Sequence, residues 1–124
     1  MKHLFLPYSL AIISKEKTFD EPCMAYYNDD KILCIKKGDP LSGITNQDCH
    51  RLNILAPLYS QITDWFREKH KVVISIDVNL SGKCFGHIKS YNHITMTQWT
   101  NGEDEPLEYY QALNKAIEQA FKLI

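Results

Sequence analysis

Four cysteines and five histidines are the side chains of this chain best suited to hold a metal or attack a substrate. A structural zinc site usually shows two close ligand pairs. Cys23, Cys34, Cys49 and Cys84 are widely spaced, and the nearest combinations are Cys49-His50 and Cys84-x2-His87. On a strand, positions three apart point to opposite faces, so Cys84 and His87 are not expected to share an ion. Cys23, Cys34 and Cys84 read as small buried hydrophobes. Cys49 beside His50 suggests a thiol nucleophile, but adjacent side chains seldom form a nucleophile–base pair and no oxyanion-hole motif accompanies them. Cys49 therefore reads as a free surface thiol.

Asp77 and His87 are the second candidate. If their strands form a hairpin closed by a three-residue loop, the two face each other on the polar side, with Ser75 opposite Lys89. An Asp–His pair can orient a general base, but without a third catalytic group it reads as a cross-strand surface pair. The third candidate is nucleic acid. Phe85, Lys89, Tyr91, Trp99 and Lys83 mix rings and cations around one hairpin, and bases can stack on such a sheet face. No RRM-type motif is present, so a single-stranded nucleic-acid-binding module spanning 83–99 is the alternative reading. Gly38-Asp39-Pro40-Leu41-Ser42-Gly43 lacks Walker and Rossmann spacing and reads as a turn-rich loop.

Composition limits the classes. The chain has 124 residues, a size that fits one domain with one core, and 44% of them are hydrophobic, as in ordinary globular proteins. Net charge is −1, with 14 basic and 15 acidic residues interspersed. No basic arm exists to neutralise a row of phosphates. The N-terminal Met1-Lys2-His3-Leu4-Phe5-Leu6-Pro7 is too short, and too early broken by Pro7, for a signal-peptide core. No apolar run is long enough to span a bilayer. A soluble chain in a reducing compartment is expected, with its thiols free and the sequon Asn79-Leu80-Ser81 without consequence.

Periodicity places these residues on elements. Tyr109, Tyr110, Leu113, Ala116, Ile117, Ala120, Phe121 and Ile124 form the stripe of an amphipathic C-terminal helix, with Asp104 as its cap and Pro106 in its first turn. Leu58, Ile62, Trp65, Phe66 and Lys69 form the face of a central helix. It starts near Pro57 and ends near His70-Lys71, where cations suit a helix C-terminus. A first helix covers about 7–17. Val72, Ile74, Ile76 and Val78 alternate with Val73, Ser75 and Asp77 as a strand. Ser81-Gly82-Lys83 reads as the turn and 84–90 as the return strand. The expected register pairs Leu80 with Cys84, Val78 with Gly86 and Ile76 with Ile88. A further strand at 94–99 follows a turn at Ser90-Tyr91-Asn92. Residues 23–27 and 32–36 flank a turn at Asn28-Asp29-Asp30-Lys31. The order is α-β-β-α-β-β-β-α: an α+β fold with three helices and an antiparallel sheet of about five strands. Residues 37–53, including Asp39, Cys49 and His50, form a long loop of the kind that is usually functional or flexible.

Three segments carry a resemblance. Ala56-Pro57-Leu58-Tyr59-Ser60-Gln61-Ile62-Thr63-Asp64-Trp65-Phe66-Arg67-Glu68-Lys69-His70 is one, Lys17-Thr18-Phe19-Asp20-Glu21-Pro22-Cys23 after a short helix is another, and Glu108-Tyr109-Tyr110-Gln111-Ala112-Leu113 the third. Together they resemble small proteins of bacteriophages, prophages and mobile elements of gut Bacteroides-type bacteria. Thr18 departs from that pattern, which often has Gly there, the residue that leaves a helix most cheaply through left-handed backbone. The matching motifs are structural, so the resemblance transfers no functional residue. It implies a bacterial cytoplasmic setting and a mobile-element origin.

The expectation is a non-catalytic accessory or regulatory protein without metal or cofactor, away from membranes, acting on a host or phage protein, with homodimerisation open. The candidate surface is Asp77, Phe85, His87, Lys89, Tyr91 and Trp99.

Overall fold

A computed structural model describes residues 2–36, 43–45, 53–92, 95–100 and 108–124, and of 2, 91, 92 and 95–100 the backbone alone. A 3-10 turn, Lys2–Leu4, precedes α1 (Tyr8–Glu16), β1 (Ala25–Tyr27), β2 (Leu33–Ile35), β3 (Ile54–Ala56), α2 (Tyr59–His70), β4 (Val72–Val78), β5 (Cys84–Asn92), β6 (Thr95–Thr100) and α3 (Tyr109–Lys122). The α+β class and the expected order stand, with one further strand, β3, ahead of α2. A single sheet does not form. The strands make two three-stranded antiparallel sheets, ordered β2-β1-β3 and β4-β5-β6. The chain clusters into two compact units, Met1–Ile62 and Thr63–Ile124, the division falling within α2.

In the first unit, α1 leaves from Pro7, whose extended backbone (φ −65°) turns the chain into the helix. Leu6, Leu10, Ala11 and Ser14 are buried. The Ser14 hydroxyl is satisfied by donating to the Ala11 carbonyl at 2.7 Å. The helix ends in a Schellman motif. Phe19 N–H donates to Ser14 O (2.9 Å) and Thr18 N–H to Lys15 O (3.1 Å). Thr18 takes the left-handed conformation at φ 67°. The exit expected of glycine is therefore made by a β-branched residue, which resists it. β1 and β2 pair Tyr26 with Cys34, and β1 and β3 pair Tyr26 with Leu55. Three residues are too few to show a period of two, which is why Ile54-Leu55-Ala56 gave no strand signal. Phe5, Ala11, Ala25, Tyr27 and Ala56 form a core cluster. Tyr27 donates its hydroxyl to Leu6 O at 2.7 Å.

Part of the long connection is tied down. Cys23 and Ile44 exchange backbone hydrogen bonds of 2.8 and 2.7 Å. A Cβ on Gly43 would stand 2.6 Å from Pro22 Cβ, so only glycine allows this approach. Asp39, Cys49 and His50 lie outside the described residues.

In the second unit, α3 packs on β4 and β5. Ala112, Leu113, Ala116, Ile117, Ala120 and Phe121 are buried, while Tyr109 and Tyr110 are exposed. The expected stripe thus holds from Leu113 to Phe121, gains Ala112 and loses its tyrosines. The helix cap is corrected. Glu108 and Gln111 form a reciprocal capping box, with Glu108 N–H donating to Gln111 Oε1 at 3.2 Å. Asp104 and Pro106 lie before the helix, outside the described residues. In α2, Trp65 and Phe66 are buried and Phe66 meets Phe121 at 4.9 Å between ring centres.

Candidate functional site

The two hairpins use the same turn. In each, an asparagine opens a three-residue loop whose last residue is left-handed. Asn28 N–H donates to Ile32 O (3.1 Å), and Asn28 Oδ1 accepts from Asp30 N–H (2.9 Å) and Ile32 N–H (3.0 Å). Asn79 N–H donates to Lys83 O (2.9 Å), and Asn79 Oδ1 accepts from Ser81 and Lys83 N–H, both at 3.0 Å. The left-handed residue is Lys31 (φ 63°) in the first turn and Gly82 (φ 81°) in the second.

Asn79 sets the register of the candidate face. The loop is Leu80-Ser81-Gly82, one residue earlier than expected, so Val78 pairs with Cys84, Ile76 with Gly86 and Ile74 with Ile88. The expected partners are displaced by two. Faces are preserved by such a shift, but neighbours change. Ser75, not Asp77, stands opposite His87, while Asp77 stands opposite Phe85 and Val73 opposite Lys89. Asp77 and His87 nevertheless meet on the diagonal, with His87 Nε2 at 2.6 Å from Asp77 Oδ2.

The side of the sheet away from α3 therefore carries Val73, Ser75, Asp77 and Lys89, all exposed, with Phe85 and His87 half-buried among them. Strand β5 runs through Tyr91 and Asn92, where a turn was expected, and Asn92 pairs with Thr95. Tyr91 falls on the alternation of Phe85, His87 and Lys89. Trp99 pairs with Ile88, on the opposite alternation. The side chains of Tyr91 and Trp99 lie outside the described residues. Val73, Ser75 and Leu80, placed on this hairpin by the sequence, are not among its candidate surface residues. Leu80, at the loop tip, is fully exposed, and its place between a turn-forming Asn and Ser-Gly was the available signal.

The chemistry open to this face is limited. The Asp77 carboxylate is 71% exposed; a solvated cross-strand pair contributes about 0.2–1 kcal/mol and positions a ring rather than driving a reaction. Ser75 supplies a hydroxyl opposite His87, but it stands in solvent, whereas catalysis needs a concave, water-excluded setting. Cys84 is buried on the α3 side and His87 is on the other, as the alternation requires. Cys23 is also buried, whereas Cys34 is only partly so. Among the described residues, no three His, Cys, Asp or Glu side chains converge to hold a metal.

Among the described residues, two titratable groups elsewhere are perturbed by burial. It raises the Tyr27 phenol. It also lowers the His70 imidazole, which packs edge-on against Trp65 at 4.6 Å. His70 was expected as a cation at a helix end; desolvation against the indole works against that charge.

Comparison with protein families, curated proteins and solved structures found no match to this chain. Among the described residues, no helix is long and apolar enough to cross a membrane.

Proposed function

We propose that the chain is a small non-catalytic accessory or regulatory protein of a phage or mobile element, acting in the bacterial cytoplasm by contact with a host or phage protein. The contact is made by the outer face of the β4–β5 hairpin. One observation carries this reading: Val73 and Phe85 present apolar surface beside the solvated Asp77–His87 pair and Lys89, on the side of the sheet that α3 does not cover, and Leu80 stands fully exposed at the tip of the same hairpin. Apolar anchors with a polar surround are the composition of a protein-binding patch. The resemblance of segments 17–23, 56–70 and 108–113 to phage and mobile-element proteins supports the setting.

The test compares the native chain with a Phe85→Ser, Lys89→Glu double variant, each tagged and recovered from lysogenic host cells. A stoichiometric partner protein held by the native chain and released by the variant is expected. Capture unaffected by the variant contradicts the proposed face. Salt-sensitive binding of the native chain to a single-stranded oligonucleotide, with no protein retained, overturns the reading in favour of a nucleic-acid module.

A further inference from the structure

Among the described residues, strand β4 is an outer strand of its sheet, with β5 on one side only. The hydrogen bond from Asn79 N–H to Lys83 O fixes 79–83 as a hydrogen-bonded pair. Antiparallel alternation then turns the backbone groups of Val73, Ser75 and Asp77 toward β5, and those of Val72, Ile74, Ile76 and Val78 toward the free edge. No hydrogen bond reaches Ile74, Ile76 or Val78 across that edge from any described residue.

Outer strands are normally blunted by proline, lysine, a bulge or brevity. Val72-Val73-Ile74-Ser75-Ile76-Asp77-Val78 is seven residues long, pairs with β5 without a bulge, and holds one charge, Asp77. Its edge-facing residues read Val-Ile-Ile-Val, the same in both directions about Ser75.

We infer that two copies of this chain associate through β4, antiparallel, about a two-fold axis at Ser75. This goes beyond the proposed contact and stands without it, because it uses a backbone edge rather than the outer side chains. In that register Ile74 pairs with Ile76 of the second copy and Val72 with Val78 of the second copy. Apolar side chains meet apolar side chains, and Val78, 58% exposed in the single chain, gains cover. On the other face Ser75 meets Ser75, and Asp77 meets Val73 rather than another carboxylate. A slip that centres the axis on Asp77 sets like charges together and leaves half the strand unpaired. One that centres it on Val73 shortens the pairing as much. The Ser75 register alone pairs the whole strand and separates the charges. A single strand pair buries less than the roughly 1,200–2,000 Å² of a standard stable interface, so the dimer dissociates on dilution.

Two variants test this. Opposed residues of a non-hydrogen-bonded pair have Cα atoms about 4.5 Å apart, within disulfide reach. Ser75→Cys, in a chain whose Cys34 and Cys49 are changed to Ser, is therefore expected to form a covalent dimer on oxidation. Light scattering of the native chain at the highest attainable concentration is expected to approach twice 14.4 kDa. Ser75→Lys, which sets two ammonium groups on the axis while leaving an exposed position exposed, is expected to stay at 14.4 kDa with an unchanged circular dichroism spectrum. A native chain that remains monomeric, a dimer indifferent to Ser75→Lys, or the absence of the Ser75→Cys cross-link overturns the inference.

Discussion

Thr18 and Lys31 hold left-handed backbone at sites where a side chain works against it. Thr18 is β-branched, and its hydroxyl donates to the preceding carbonyl at 2.6 Å, a partial offset. Replacing either residue with glycine is expected to raise stability by roughly 1 kcal/mol, measured by urea denaturation. Gly82→Ala, in the equivalent position of the second turn, is expected to cost about as much. Its new Cβ meets nothing within 4 Å, so the cost is conformational alone. His70 gives a pH dependence. Burial lowers its folded-state pKa, so the unfolded chain takes up the proton first, near the ordinary value of ~6.5. The stabilisation is present above that pH and is lost as pH falls below it. His70→Gln is expected to flatten the stability profile through this window. At this scale, the sequence exposed the Thr18 departure but not the weight of Asn79, because an Asx turn depends on where one side-chain oxygen points.

Among the elements, long periodic segments were legible and short ones were not. Helix α2 and strand β4 were read nearly to the residue, since each repeats its period several times. Strand β3 is three residues long and has no period to read. The start of α3 went wrong because Asp104 and Pro106 are generic signals, whereas Glu108 and Gln111 cap the helix together. The alternation of β4 and β5 was legible and their register was not, because a shift of two residues leaves every side chain on its own side; Trp99, paired with Ile88, falls on the other alternation from the rest of the candidate surface. The Asp77–His87 contact survived only because diagonal neighbours are also within reach. The tethered end of the long connection depends on Gly43 lying against Pro22. Gly43→Ala is expected to lower the thermal midpoint of the chain, measured by circular dichroism, because the blocking atoms include backbone. Tyr27→Phe is expected to cost about 1–3 kcal/mol, since it leaves the Leu6 carbonyl without its donor.

For the whole molecule, the fold class follows from element order, but the number of sheets does not. Each hairpin recruits its own third strand, and order alone does not say that β3 returns to β1. The central functional claim is that the hairpin face away from α3 is where the chain meets another protein. It is tested most directly by a photo-crosslinking amino acid placed at position 87 of the chain produced in living bacterial cells, with position 118, exposed on α3, as the control. A discrete adduct to a second protein from position 87, and none from 118, is the expected result. Adducts of equal yield from both positions, or none from 87, would contradict it.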